Sequence, residues 1–67
     1  MNDQIIQIEV ALNFLNTLFS KAVYFNDMTS INKLNDIRYD IYYGNLFNYD
    51  TCIKNLKYIE GLLNKYE

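Results

Sequence analysis

Apolar side chains recur along the first third of the chain at the spacing of one helix face. Six of them follow one another at intervals of three or four residues: Ile5, Ile8, Leu12, Leu15, Phe19 and Ala22. This spacing predicts an amphipathic helix over about 4–25, capped by Asn2 or Asp3. Four more apolar residues widen the stripe to about half of the circumference: Ala11, Phe14, Leu18 and Phe25. A stripe this broad requires cover on two sides.

The pattern predicts a second helix over about 31–43, after a break at 26–30 that is rich in capping residues. Thr29 or Ser30 is expected to be its N-cap. Gly44 stands where a left-handed residue commonly ends a helix, and Asn45 follows it. Four side chains are expected to point inward, and two more to reach the core from the turn: Ile31, Leu34, Ile37 and Ile41, then Leu46 and Phe47.

A third helix is predicted over about 49–65, with Asn48 as its N-cap. Asp50 falls in the first turn, where a negative charge complements the helix dipole. The inward positions again have spacings of three and four: Tyr49, Cys52, Leu56, Ile59, Leu63 and Tyr66, flanked by Ile53 and Leu62. Gly61 is expected on the outer side.

No segment alternates with the period of a strand, and the turns are short enough to join antiparallel neighbours. The predicted fold class is therefore all-α, as a small three-helix bundle or a hairpin with a long first helix, with residues 1–67 forming a single helical domain. A chain of 67 residues buries a limited core, and one cysteine allows no internal disulfide. Two sources of stability stay open: packing of the helices within one chain, or association with a second copy of the chain as a homodimer.

The composition removes most routes to catalysis, because the chain has no histidine and only two glycines. A zinc site and a glycine-rich phosphate loop are not expected. Cys52 lacks a histidine base and falls on the inward face, which favours a buried structural thiol. Asp36 and Asp40 lie one turn apart and could bind a cation or share a proton, although a solvated face explains them as well. We therefore expect no enzyme, no cofactor and no metal.

Several of the seven tyrosines fall outside the predicted core. On the second helix, Tyr39 and Tyr43 lie at i and i+4 beside two aspartates, whereas Tyr42 lies at the core margin. Tyr58 is expected to point outward from the third helix, and Tyr24 from the first. Because tyrosine is enriched at the centres of protein interfaces, we predict a partner-binding surface on these residues: Asp36, Tyr39, Asp40, Tyr43 and Tyr58. The alternative is that these tyrosines are ordinary surface residues supplied by codon bias.

The charge argues against nucleic acid and membrane partners. Eight acidic residues outnumber six basic ones, and Arg38 is the only arginine, whereas DNA-binding proteins usually need a clustered basic surface. In a helix–turn–helix protein the third helix would be the one that enters the DNA groove. Its outer side carries only three lysines for this purpose: Lys54, Lys57 and Lys65. The first helix carries one lysine on its polar face, where membrane-surface helices usually carry several. The start of the chain lacks a basic segment typical of a signal peptide, which favours a soluble cytoplasmic protein.

The segment Ile59-Glu60-Gly61-Leu62-Leu63-Asn64-Lys65-Tyr66 resembles the end of the short helical-hairpin aspartyl-phosphate phosphatases of spore-forming bacteria. In that family a Ser-Gln-x-Leu-Asp motif leads into a comparable apolar pair and tyrosine. Here Leu56-Lys57 replace Ser-Gln and Glu60 replaces the aspartate, so the diagnostic residues differ. The resemblance implies a helical regulator that binds a partner protein, without phosphatase activity.

Residues with A/T-rich codons fill more than half of the positions, which suggests a low-GC genome such as that of a Firmicute or one of its phages or plasmids. Together with the small size, this predicts a phage or mobile-element inhibitor that occludes a larger host protein of defence or regulation. Three alternatives stay open: an antitoxin or immunity protein, a small helix–turn–helix-like transcriptional regulator, and a minor self-assembling phage structural protein.

Overall fold

Three helices make up most of the computed structural model, which describes residues 3–44 and 47–67. They are α1 (Asp3–Tyr24), α2 (Met28–Tyr43) and α3 (Tyr49–Leu63), and a 3₁₀ turn (Asn64–Tyr66) follows α3. Those described ranges contain no strand. α1 packs against both α2 and α3, and these two also contact each other. The prediction of an all-α three-helix bundle is confirmed.

The core lies where the three helices meet. Its buried members are Ala11, Leu15, Leu18, Ala22, Leu34, Cys52, Leu56, Ile59 and Leu63. On α1 the buried positions begin only at Ala11, and Ile5, which was predicted to face inward, is exposed. At 1.5 Å per residue, the 22 residues of α1 span about 33 Å, whereas the 16 residues of α2 span about 24 Å. The shorter helices therefore leave the first two turns of α1 without a buried residue.

The turn between α1 and α2 is built differently from the prediction. Asn26 adopts a left-handed conformation (φ 55°) and ends α1, with its N–H donating to the Val23 carbonyl and that of Asp27 to the Ala22 carbonyl. Asp27 is then the N-cap of α2, since its side chain accepts a hydrogen bond from the Ser30 N–H at 3.2 Å. The prediction of Thr29 or Ser30 as the cap is wrong. The tight end of α1 brings the chain into α2 already at Met28.

Gly44 ends α2 in an extended conformation (φ −69°, ψ 146°), so the left-handed conformation predicted for it is wrong. Its N–H donates to the Asp40 carbonyl at 2.8 Å, which holds the backbone close to the last turn of the helix. A side chain at this position would collide with the same carbonyl oxygen. Lack of space, rather than backbone handedness, explains the glycine. The predicted roles of Asn2, Asn45 and Leu46 lie outside the described residues, while Phe47 packs against the core as predicted.

The start of α3 matches the prediction, because the Asn48 side chain accepts a hydrogen bond from the Thr51 N–H at 2.9 Å and Asp50 lies in the first turn. The end does not, since α-helical geometry stops at Leu63. The 3₁₀ turn has three residues per turn, which moves Tyr66 out of phase with the inward face. Tyr66 is thus exposed instead of buried, and its ring stacks on Phe25 with a 4.6 Å centroid distance.

Candidate protein-binding surface

The outer face of α2 carries three exposed aromatic residues, which we call the tyrosine patch: Tyr39, Tyr42 and Tyr43. The ring centroids of Tyr39 and Tyr43 are 4.9 Å apart, and those of Tyr42 and Tyr43 are 6.4 Å apart. The three side chains are 64, 62 and 71% exposed, respectively. Tyr42, which was predicted at the core margin, therefore belongs to the outer surface, because the core takes only a narrow stripe of α2.

An open groove separates α2 from α3 beside the tyrosine patch, and we call it the α2–α3 groove. It consists of two depressions of about 200 and 380 Å³ that share Ile37, Asp40 and Asn55. One end is lined by Lys33 and Tyr58 and the other by Phe47. This pairing of the start of α2 with the later part of α3 shows that the two helices are antiparallel.

The structure brings the five predicted surface residues onto neighbouring parts of the molecule. Asp36, Asp40 and Tyr58 line the α2–α3 groove, the aspartates from one wall and the tyrosine from the other. Tyr39 and Tyr43 follow the two aspartates by three positions each, which makes them adjacent on the helix surface. Tyr24 is also exposed, as predicted, but it lies at the end of α1 against Phe25. The groove and the tyrosine patch therefore form one continuous surface.

Neither groove aspartate is engaged in an ion pair with another residue of 3–44 or 47–67. Within the described ranges the ion pairs are Lys21 with Glu67 and Lys65 with Asp27. The nearby guanidinium of Arg38 lies over the Phe19 ring, 4.6 Å from its centroid, which directs it toward α1. Asp36 and Asp40 are both exposed, and Lys33 lines the same depression.

Cys52 lines the floor of the groove but is only 8% exposed, as the sequence predicted for a structural thiol. Burial raises the pKa of this thiol, and the negative charge of Asp40 raises it further. The thiol is therefore protonated at neutral pH, which makes it a poor nucleophile. Among residues 3–44 and 47–67 there is also no cluster of three or more side chains suited to hold a metal ion.

A second polar cluster ties the end of the chain to the turn between α1 and α2. The Tyr66 hydroxyl donates a hydrogen bond to Asp27 at 2.8 Å, and the Lys65 ammonium lies 3.8 Å from the same carboxylate. The hydroxyl is the main reason that the pKa of Asp27 is below its ordinary value, and the same bond raises the pKa of Tyr66. Sequence reasoning missed this contact because 39 positions separate the two residues.

None of the helices in the described part of the chain is long and apolar enough to cross a lipid bilayer. In comparisons with known proteins, no family model, no curated protein and no solved structure matches this chain.

Proposed function

We propose that this protein is a non-enzymatic binding module whose tyrosine patch and α2–α3 groove dock onto a larger protein and block its working surface. The observation that carries the proposal is the tyrosine patch itself. Three aromatic rings contact one another on a single helix while each stays more than 60% exposed. Because the three side chains are mostly exposed, the patch contributes little to the core.

Exposed tyrosines suit recognition for a physical reason. Each ring offers a large apolar surface with few rotatable bonds, so ordering it on binding costs little entropy, and its hydroxyl can hydrogen-bond at the interface. The contacts between Tyr39, Tyr42 and Tyr43 restrict the rings further before any partner arrives. Clustered aromatic residues of this kind carry much of the binding energy in protein interfaces.

The cellular context proposed here follows from size and composition. A chain of 67 residues dominated by A/T-rich codons fits a phage or mobile-element product of a low-GC host, acting in the cytoplasm on a defence or regulatory protein. A standard interface buries about 800 Å² on each partner, which is a sizeable part of the 4873 Å² surface of this protein. A module with room for few such interfaces acts most simply by covering the working surface of its partner.

The test compares three immobilised forms of the protein in a low-GC host lysate: wild type, the Tyr39→Ala/Tyr43→Ala double variant, and Tyr24→Ala as a matched control. Tyr24 is exposed like the patch tyrosines but lies on α1. A partner of the patch should be retained by wild type and by the control. With the purified partner, we expect the double variant to bind at least about 2 kcal/mol more weakly, or about 30-fold, with unchanged helicity and melting.

The same purified partner tests occlusion. Its activity should fall in proportion to the amount of wild-type protein bound and should recover on dissociation, with no covalent change in either chain. If the double variant retains every captured protein at wild-type affinity, the patch is not the binding surface. If it unfolds, the tyrosines serve the core and the proposal is wrong.

A further inference from the structure

We infer that the α2–α3 groove receives a cationic amphipathic helix of the partner protein. This partner is the larger protein of the function proposed above, on which the inference rests. The shape of the groove and the charges along its walls define the chemistry of such a partner. The groove carries carboxylates of its own, so it can be tested separately from the tyrosine patch.

The shape of the groove favours a helix. Two linked depressions run along a pair of antiparallel helices, and α1 covers the opposite side of that pair. Ile37, Ile41 and Phe47 line the groove and are only partly buried by the protein itself. An apolar helix face laid on such a floor is a recurrent mode of peptide recognition, and here it would complete a four-helix bundle.

The charges indicate the sign of the incoming helix. Asp36 and Asp40 lie one turn apart on the same wall, and neither is engaged in an ion pair in the part of the chain that the structure describes. Cations at i and i+4 on a partner helix have the same spacing as these carboxylates. The opposite wall presents Asn55 and Tyr58, which are neutral, and the tyrosine ring can also stack against a guanidinium.

An anionic helix is disfavoured in the same site, because its charges would lie close to the carboxylates of Asp36 and Asp40. Lys33 and Tyr58 line the same end of the groove, so that end carries a positive charge. We expect the cations of the bound helix to lie toward Asp40 and away from Lys33.

The experiment uses a display library of helical peptides with a fixed apolar face and randomised polar positions, selected on the full-length protein. We expect enrichment of arginine or lysine at positions four residues apart. Nuclear magnetic resonance of the labelled protein with an enriched peptide should then show the largest amide shifts at Ile37, Asp40 and Asn55. Enrichment of neutral or acidic peptides, no enrichment at all, or shifts confined to α1 would overturn the inference.

Charge-matched variants separate the groove from general electrostatics. Asp36→Asn/Asp40→Asn should weaken binding of the enriched peptide at least 10-fold at low salt and flatten its salt dependence. Asp3→Asn/Glu9→Gln removes the same charge from α1 and should leave binding within twofold. Equal losses in both double variants contradict a specific site.

The two proposals fail in different ways. If natural-partner binding depends on Tyr39 and Tyr43 while the library yields no cationic helix, only the inference about partner chemistry is wrong. If a cationic helix binds the groove while natural capture ignores the tyrosine patch, the proposed function of the patch is wrong.

Discussion

Asp27 links two distant parts of the chain through one carboxylate. One oxygen accepts the Ser30 N–H at the start of α2, and the other accepts the hydroxyl of Tyr66 from beyond α3. The stacked rings of Phe25 and Tyr66 lie beside this bond. A single residue therefore serves both as a helix cap and as the anchor of the 3₁₀ turn.

We expect Tyr66→Phe to raise the pKa of Asp27 toward its ordinary value, because the hydroxyl is the largest cause of the lowered pKa. A carboxyl whose folded pKa is depressed stabilises the fold above its unfolded pKa of about 3.8, and this stabilisation is lost as the pH falls through the folded pKa. Acid unfolding of the variant should therefore begin at a higher pH. A pH titration followed by nuclear magnetic resonance measures both the pKa of Asp27 and the pH at which the protein unfolds, with Tyr58→Phe as control. An unchanged Asp27 pKa would contradict the role given to the Tyr66 hydroxyl.

Cys52 is expected to react slowly with a thiol reagent at pH 8 in the native protein and rapidly in denaturant, since burial raises its pKa and blocks access. Cys52→Ser should lower the free energy of unfolding by about 1–3 kcal/mol, because a buried hydroxyl loses more favourable hydration than a thiol does. Rapid native labelling at the rate of the denatured chain would show that the thiol is accessible.

At the scale of the elements, the two glycines have opposite roles. Gly61 lies on the exposed side of α3, and a side chain built there meets no atom within 4 Å. Gly44 follows α2, where a side chain meets the Asp40 carbonyl. Gly61 therefore only lowers the stability of its helix, whereas Gly44 is required because there is no room for a side chain.

We predict that Gly61→Ala raises the free energy of unfolding by about 1 kcal/mol, because alanine has the higher helix propensity and nothing obstructs it. Gly44→Ala should lower the free energy of unfolding, since the backbone must move away from Asp40. Urea denaturation of the two variants in parallel measures both signs. Stabilisation by both substitutions would mean that the end of α2 is not sterically constrained.

At the scale of the molecule, α1 is longer than the layer that covers it. Its first two turns contain no buried residue, and Ile5, Ile6 and Val10 are exposed there. The predicted apolar stripe is covered on two sides, by α2 and α3, but neither helix buries a residue of these first two turns.

We therefore predict self-association through this part of α1, detected as a concentration-dependent sedimentation coefficient at micromolar protein. Ile6→Gln/Val10→Gln should restore a monomer without lowering helicity, because both side chains are exposed in the single chain. A stable wild-type monomer at these concentrations would remove the prediction.

The helical fold class, the approximate position of each helix and most of the core could be predicted from the order of apolar and polar residues. These follow from periodicity, because apolar side chains three and four positions apart share one face of any helix. The exposure of Tyr39, Tyr43 and Tyr58 followed from the same geometry. The cap at Asn48 was predictable as well, since it involves only residues three positions apart.

The features that depend on how the helices meet could not be predicted from local patterns. The Asp27–Tyr66 bond joins residues 39 positions apart, and the 3₁₀ turn that orients Tyr66 has no signal in the apolar pattern. The exposure of Ile5 depends on the relative lengths of α1 and its neighbours. The α2–α3 groove likewise exists only between two packed helices, because no local pattern specifies the space that separates them.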